Sequence, residues 1–145
     1  MEGFIILAVV IVAIVLVVSG DRGFSNSSRE VEKATKRNRE MEYFEKKWQD
    51  IVDLFESDNE NDWRMAIIEA DILINNIMTF SGVSGNNHIE KINSLSSKKL
   101  NKETLYSLHR IRNRVAHQGI GFPLDRDKVD KIKESFENAI LRYND

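Results

Sequence analysis

Apolar and polar residues follow a helical period over most of this chain. From Met41 onward, apolar residues recur at steps of three and four, the spacing that lines one face of an α-helix. The segments with this pattern are residues 41–55, 62–80, 102–117 and 129–143, with a shorter and weaker one at 88–95. The alternation typical of strands is absent from the sequence, and no internal repeat is visible. The pattern predicts an all-α fold, an antiparallel bundle of four or five helices.

Short polar segments separate the predicted helices. The break SDNEN at residues 57–61 supplies caps for the second helix, and the glycine-rich loop SGVSGNN at residues 81–87 follows that helix. Asn101 and Asp125 are expected to cap the last two long helices, and Ser27 with Glu30 fits a capping box at the start of the first.

The N-terminus carries an unbroken apolar run from Phe4 to Val18. With its small flanking residues the run reaches the lower limit for crossing a bilayer as a helix. A cleaved signal peptide is the alternative, but no basic residue precedes the run, which is also long for the apolar part of a signal peptide. We expect a single transmembrane anchor over residues 1–20, in contact with lipid through residues 4–18.

The charges beside this run predict its orientation. Only Glu2 precedes it, whereas six basic residues follow within the next 21 positions, namely Arg22, Arg29, Lys33, Lys36, Arg37 and Arg39. Positive charge favours the cytoplasmic side, so we expect a single-pass protein of the cell membrane with its C-terminal domain in the cytoplasm. Residues 21–40 then form a linker and a charged juxtamembrane helix, and residues 41–145 form the bundle.

Composition limits the kinds of site that the bundle can hold. Lys and Arg number 21 against 23 Asp and Glu, so no overall positive field attracts nucleic acid. The chain has no cysteine, and His88, His109 and His117 are scattered along it without a shared carboxylate at metal-ligand spacing. The sequence therefore predicts neither a metal site nor a cofactor.

The second helix, Asp62 to Phe80, is apolar on almost every side and should occupy the centre of the bundle. Glu69 and Asp71 lie at the edges of its apolar surface, where an ionised carboxylate needs a partner. Arg112 supplies a candidate, because a helical wheel places it inside the apolar stripe of its own helix, between Leu105 and Leu108. We therefore expect Arg112 to pair with Glu69 or Asp71, or to open into a cleft between subunits.

Arg112 also begins the most concentrated group of chemically active side chains. This group lies within six residues near the end of the segment 102–117 and consists of Arg112, Asn113 and His117. A polar ridge beside the arginine is formed by His109, Asn113 and His117. On a regular helix Arg112 and His117 point about 140° apart. Their convergence therefore requires distortion of the helix end or a second subunit, and we favour the second subunit.

The run RNRVAH near the end of a helix resembles the signature of the HEPN superfamily, in which an Arg, a polar residue and a later His follow one another. The surrounding segments are similar to small membrane-anchored prokaryotic proteins of that type. The resemblance implies a helical bundle that dimerises so that two motifs share one cleft and cleave RNA without a metal ion. It implies that Arg112 binds the scissile phosphate and that His117 acts as general acid or base. It also implies that Asn113 orients the histidine or the phosphate.

Three neighbouring residues lie outside the motif: His109, Arg110 and Arg114. We expect them to bind phosphates of the RNA backbone and to take no part in catalysis. A non-catalytic binding or scaffold module is the alternative. In that case Arg112 forms a structural ion pair, while Asn113 and His117 cap the helix end.

Overall fold

The computed structural model describes residues 24–96 and 101–144, so the apolar segment Phe4 to Val18 lies outside the described residues. The described chain is all-helical, which confirms the predicted fold class. Its elements are α1 (Phe24–Glu56), α2 (Glu60–Phe80), α3 (His88–Ser94), α4 (Lys102–Gln118), a 3-10 turn (Gly119–Gly121) and α5 (Arg126–Asn144). Among these helices none combines the length and apolar character needed to cross a membrane.

The chain divides into two units at Tyr43. The described part of the first unit is the beginning of α1, where every side chain from Ser28 to Arg39 is exposed, as expected for a helix charged on all sides. The predicted capping box at Ser27 and Glu30 is wrong, because α1 already begins at Phe24 and Ser27 lies inside it.

The second unit is a helical bundle with α2 at its centre. α2 packs against α3, α4 and α5, as predicted from its apolar surface. The core combines aromatic side chains with aliphatic ones, and its fully buried members include Phe55, Ile67, Met78, Leu105, Val115, Phe122, Val129 and Phe136. The apolar surface of α2 is not buried all round, because Met65 is 54% exposed and Ile72 is 39% exposed. Burial of α2 is therefore confined to the faces that meet its neighbours.

Side-chain caps fix where the helices begin. The side chains of Asn101 and Asp125 accept hydrogen bonds from backbone N–H groups of α4 and α5, which confirms both predicted caps. Asn59, in the polar break, caps α2 in the same way. Such caps satisfy backbone donors that have no partner within the helix.

The short helix α3 is held in place from both sides. Lys91 donates from Nζ to Asn75 Oδ1 and Thr79 Oγ1 of α2, at 3.1 and 2.7 Å. Tyr106 of α4 donates its hydroxyl to the side chain of Asn93, and Ile92 is fully buried. Since a helix of seven residues is not stable by itself, these contacts determine its position.

One arginine joins the end of α1 to the start of α5. Arg126 donates to the carbonyl oxygens of Phe55 and Ser57 at 2.7 and 2.6 Å, and its guanidinium lies 4.6 Å from the centre of the Trp63 ring. These carbonyls belong to the end of α1 and the turn that follows, so Arg126 supplies partners that the helix itself lacks. The sequence pattern did not single out this residue.

Candidate functional site

The site is built around Asp71, a carboxylate on the buried side of α2. Asp71 is only 3% exposed, and it lies on the buried face of the helix that also carries Ile67, Ala70 and Ile74. Helical spacing places position 71 one turn from Ile67 and from Ile74. A buried carboxylate is costly unless it is paired, so its neighbours decide whether the arrangement is stable.

Two histidines from different helices contact this carboxylate. His88, the first residue of α3, places Nδ1 3.3 Å from Asp71 Oδ2. His109 of α4 places Nδ1 3.0 Å from the same oxygen and 3.2 Å from Oδ1. The two imidazole rings lie against each other, with their centres 4.5 Å apart. Because a carboxylate only accepts hydrogen bonds, each Nδ1 that bonds to it carries the proton, which leaves Nε2 of each ring for other partners.

Arg112 joins the cluster from one turn beyond His109. Its Nε lies 3.7 Å from Asp71 Oδ2, and its Nη1 donates to Asn113 Oδ1 at 2.9 Å. The Nε atom is buried and has no hydrogen-bond acceptor among the described residues, whereas the side chain as a whole is 30% exposed. Asp71 therefore lies beside the Nε of the guanidinium and Asn113 bonds to its Nη1, while the side chain as a whole remains partly exposed.

The structure distinguishes the two carboxylates considered as partners of Arg112, while the cleft between subunits stays a prediction. Asp71 is the carboxylate that Arg112 meets, while Glu69 pairs with Lys47 Nζ at 3.1 Å on a half-exposed surface. The proposed pairing of Arg112 with Glu69 is wrong. Successive turns of α2 explain this result, because residues 69 and 71 point about 200° apart on a helix and face different neighbours.

The neighbouring histidines control the ionisation of Asp71. Burial is the largest single influence and raises the pKa of Asp71, but hydrogen bonds and charge from His88 and His109 together outweigh burial. The net result is a pKa below the ordinary value of 3.8. Asp71 is therefore ionised throughout the neutral and mildly acidic range, and it offers a permanent negative charge inside the bundle.

The remaining residues of the predicted site lie apart from this cluster. His117 and Arg110 have exposed side chains on α4. Arg114 is also exposed, and its guanidinium lies 4.8 Å from the centre of the buried Phe122 ring. α4 continues as a regular helix from Lys102 to Gln118, so no distortion brings His117 to Arg112 within one chain. Asn113 contacts the guanidinium of Arg112, whereas its expected role of orienting the histidine or the phosphate stays a prediction.

Sequence reasoning missed His88. The expectation that no two histidines share a carboxylate is wrong, because His88 and His109 share Asp71. The three-residue step from His109 to Arg112 indicated that these two side chains could lie side by side on one helix. No comparable signal linked His88 to Asp71, since the loop between them determines where α3 packs.

A separate groove of about 340 Å³ lies between α4 and α5. Its lining includes Leu108, Ile111, Lys128 and Ile132, and it contains no residue of the Asp71 cluster. The cluster and the groove are therefore distinct features of the bundle.

Comparison of the chain with known protein-family models, with curated proteins and with solved structures finds no significant match.

Proposed function

We propose that this chain is a membrane-anchored protein similar to the HEPN superfamily and that its helical bundle is a metal-independent endoribonuclease. In this proposal residues 4–18 anchor the chain in the cell membrane, and the bundle faces the cytoplasm. Arg112 binds the scissile phosphate, His117 transfers the proton, and Asn113 holds the guanidinium in position.

The geometry of Arg112 is the observation that carries this proposal. Its Nη1 donates a hydrogen bond to Asn113 and its Nε lies 3.7 Å from Asp71, while 30% of the side chain is exposed to solvent. A guanidinium that is fixed before the substrate arrives loses little freedom when it binds an anion, and it is planar and permanently charged. These properties suit stabilisation of the negative charge that develops on a phosphate during cleavage.

The position of His117 makes a second copy of the chain part of the proposal. His117 is exposed and lies on a different side of α4 from Arg112. A homodimer formed through α4 would place His117 of one copy opposite Arg112 of the other. His117 would then remove the proton of the 2′-hydroxyl or protonate the leaving 5′-oxygen. The products would carry 2′,3′-cyclic phosphate and 5′-hydroxyl ends. Arg110 and Arg114 would contact flanking phosphates, whereas His109 bonds to Asp71 and its side chain is only 16% exposed.

The test uses the full chain, purified in a mild detergent and incubated with single-stranded RNA in EDTA. We expect cleavage to 2′,3′-cyclic phosphate ends, abolished in both Arg112→Ala and His117→Ala while circular dichroism shows an unchanged helical content. Arg37→Ala, which removes an exposed arginine from the first unit, is the matched control and should cleave as the wild type does. Unchanged cleavage by either Arg112→Ala or His117→Ala would exclude this assignment. Mixing the two inactive variants should restore part of the activity if the site is shared between copies.

A non-catalytic binding or scaffold module is the second candidate. The contact of Arg112 with the buried Asp71 favours it, since an ion pair of this kind gives Arg112 a structural role without any substrate. This candidate predicts no RNA turnover by the wild-type chain and a lowered melting temperature for Arg112→Ala. Turnover that depends on Arg112 and His117 would exclude it.

A further inference from the structure

We propose that Asp71, His88 and His109 form a binding site for a divalent transition-metal ion of the zinc type, which joins α2, α3 and α4. Neither Arg112 nor His117 is a ligand of this site, and its role is structural. The earlier expectation of no metal site rested on the separation of the histidines along the chain. That separation does not exist in the fold.

The distances between the three side chains suit a small ion. Asp71 Oδ2 lies 3.3 Å from His88 Nδ1 and 3.0 Å from His109 Nδ1. Tetrahedral zinc with ligand bonds of about 2.0–2.1 Å keeps neighbouring ligand atoms about 3.3 Å apart. The ligand atoms of all three residues lie within 4.8 Å of one another. One small ion can therefore reach a ligand atom of each residue.

The chemistry of the three groups is that of a zinc ligand set. Two imidazoles and a carboxylate are typical ligands of zinc and of the neighbouring divalent transition metals, and calcium and magnesium prefer oxygen ligands instead. Metal binding would displace the proton from each Nδ1 and leave Nε2 protonated, so that each ring binds as a neutral imidazole, and water would complete the fourth position.

Arg112 provides a supporting contact for such an ion. Its Nε lies 3.7 Å from Asp71 Oδ2 and has no hydrogen-bond acceptor among the described residues. Once Oδ2 binds a metal, a hydrogen bond from the guanidinium to Oδ1 would require a shift of the Arg112 side chain, because its Nε faces Oδ2 at 3.7 Å. Metal-bound carboxylates are commonly held by a hydrogen bond of this kind. The positive charge of Arg112 also repels the ion, so we expect weaker binding than in a site without a nearby cation.

A bound ion would stabilise α3 in particular. This helix has seven residues and begins with His88, so a metal that joins His88 to α2 and α4 would fix its first turn. A ligand that binds only the folded protein raises its stability in proportion to the logarithm of ligand concentration. The melting temperature of the chain should therefore rise as Zn²⁺ is added.

The experiment uses the full chain in mild detergent, stripped of metal with a chelator, in the absence of RNA. Co²⁺ is the spectroscopic probe, and Zn²⁺ affinity is measured by displacing Co²⁺. We expect about one ion per chain and the visible bands of four-coordinate cobalt. His88→Asn keeps an amide donor for Asp71 and removes the imidazole ligand, and it should weaken Zn²⁺ binding by more than about tenfold. His117→Ala is the matched control, because it removes an exposed histidine of α4, and its affinity should equal that of the wild type.

Two outcomes would overturn the proposal. One is the absence of cobalt bands from the wild-type chain. The other is equal Zn²⁺ affinity in His88→Asn and the wild type, with circular dichroism showing that both are folded. Failure here is distinguishable from failure of the proposed ribonuclease, because RNA cleavage is measured in EDTA and metal binding is measured without RNA.

Discussion

The carboxylate of Asp71 and the imidazole of His109 are 38 residues apart in the chain and meet at 3.0 Å in the interior of the bundle. This contact connects α2 to α4 at the point where Arg112 also approaches Asp71. It explains how the mostly apolar buried face of α2 can carry an ionised carboxylate. A buried carboxylate is stable when hydrogen-bond donors and positive charge surround it, and the residues of α3 and α4 supply both.

Removal of this charge should change how stability depends on pH. The pKa of Asp71 is lower in the folded chain than its ordinary value of 3.8, so Asp71 stabilises the fold at neutral pH. Its contribution decreases as pH falls below that value and is lost once pH passes below the lower folded pKa. We expect Asp71→Asn to lower the free energy of unfolding by about 2 kcal/mol at pH 7.

Urea unfolding of the full chain between pH 7 and pH 2 measures this difference. The difference in the free energy of unfolding between the wild type and Asp71→Asn should become smaller as pH falls below 3.8. Asp53→Asn, which removes an exposed carboxylate from α1, controls for the loss of one charge. A gap of constant size down to pH 2 would contradict a lowered pKa for Asp71.

The contact between Arg112 and Asp71 should contribute a modest free energy. Arg112 is 30% exposed, and Asp71 keeps two histidine partners without it. We therefore expect Arg112→Ala to lower the free energy of unfolding by about 1 kcal/mol, less than for a carboxylate left wholly unpaired.

A double-mutant cycle with Arg112→Ala and Asp71→Asn measures the interaction directly, and we expect a coupling free energy of about 0.5–1 kcal/mol. Glu69→Gln is the matched control, because Glu69 pairs with Lys47 on a half-exposed surface, and it should change stability by less than about 0.5 kcal/mol. Strict additivity of the two substitutions would show that Arg112 and Asp71 do not interact.

The loop before α3 should tolerate a side chain at one glycine better than at another. A Cβ at Gly85 would lie 2.6 Å from Lys91 N and 2.8 Å from Glu90 C, both backbone atoms, with φ at +144°. Gly82 has φ at +75°, but a Cβ there meets nothing within 4 Å. Gly82→Ala should therefore lower the free energy of unfolding by about 1 kcal/mol from backbone strain alone, and Gly85→Ala by more than about 2 kcal/mol.

The melting temperatures of the two variants test this prediction, because the same glycine-to-alanine change is made at each position. Because Gly85 packs on the start of α3, its substitution should also change the environment of His88, visible in the NMR signals of that imidazole. Equal melting temperatures for the two variants would contradict the close packing of Gly85 on α3.

Much of the bundle followed from local features of the chain. The period of apolar residues located α2, α4 and α5, and capping residues such as Asn101 and Asp125 marked where helices begin. The half-buried position of Arg112 also followed from helical spacing, because the stripe between Leu105 and Leu108 must face the core. The start of α1 was misjudged, since a capping signal inside a polar segment does not show where a helix begins.

The helices, the central place of α2 and the need for a partner at Arg112 follow from the order of residues alone, because spacing along one helix fixes which side chains share a face. That this partner is Asp71 and not Glu69, and that His88 joins His109 on the same carboxylate, is known only from the folded chain. Helical periodicity carries no information about which helices become neighbours. The packing of α3 against α2 and α4 supplies that information, and it converts two distant histidines and one buried aspartate into a single cluster.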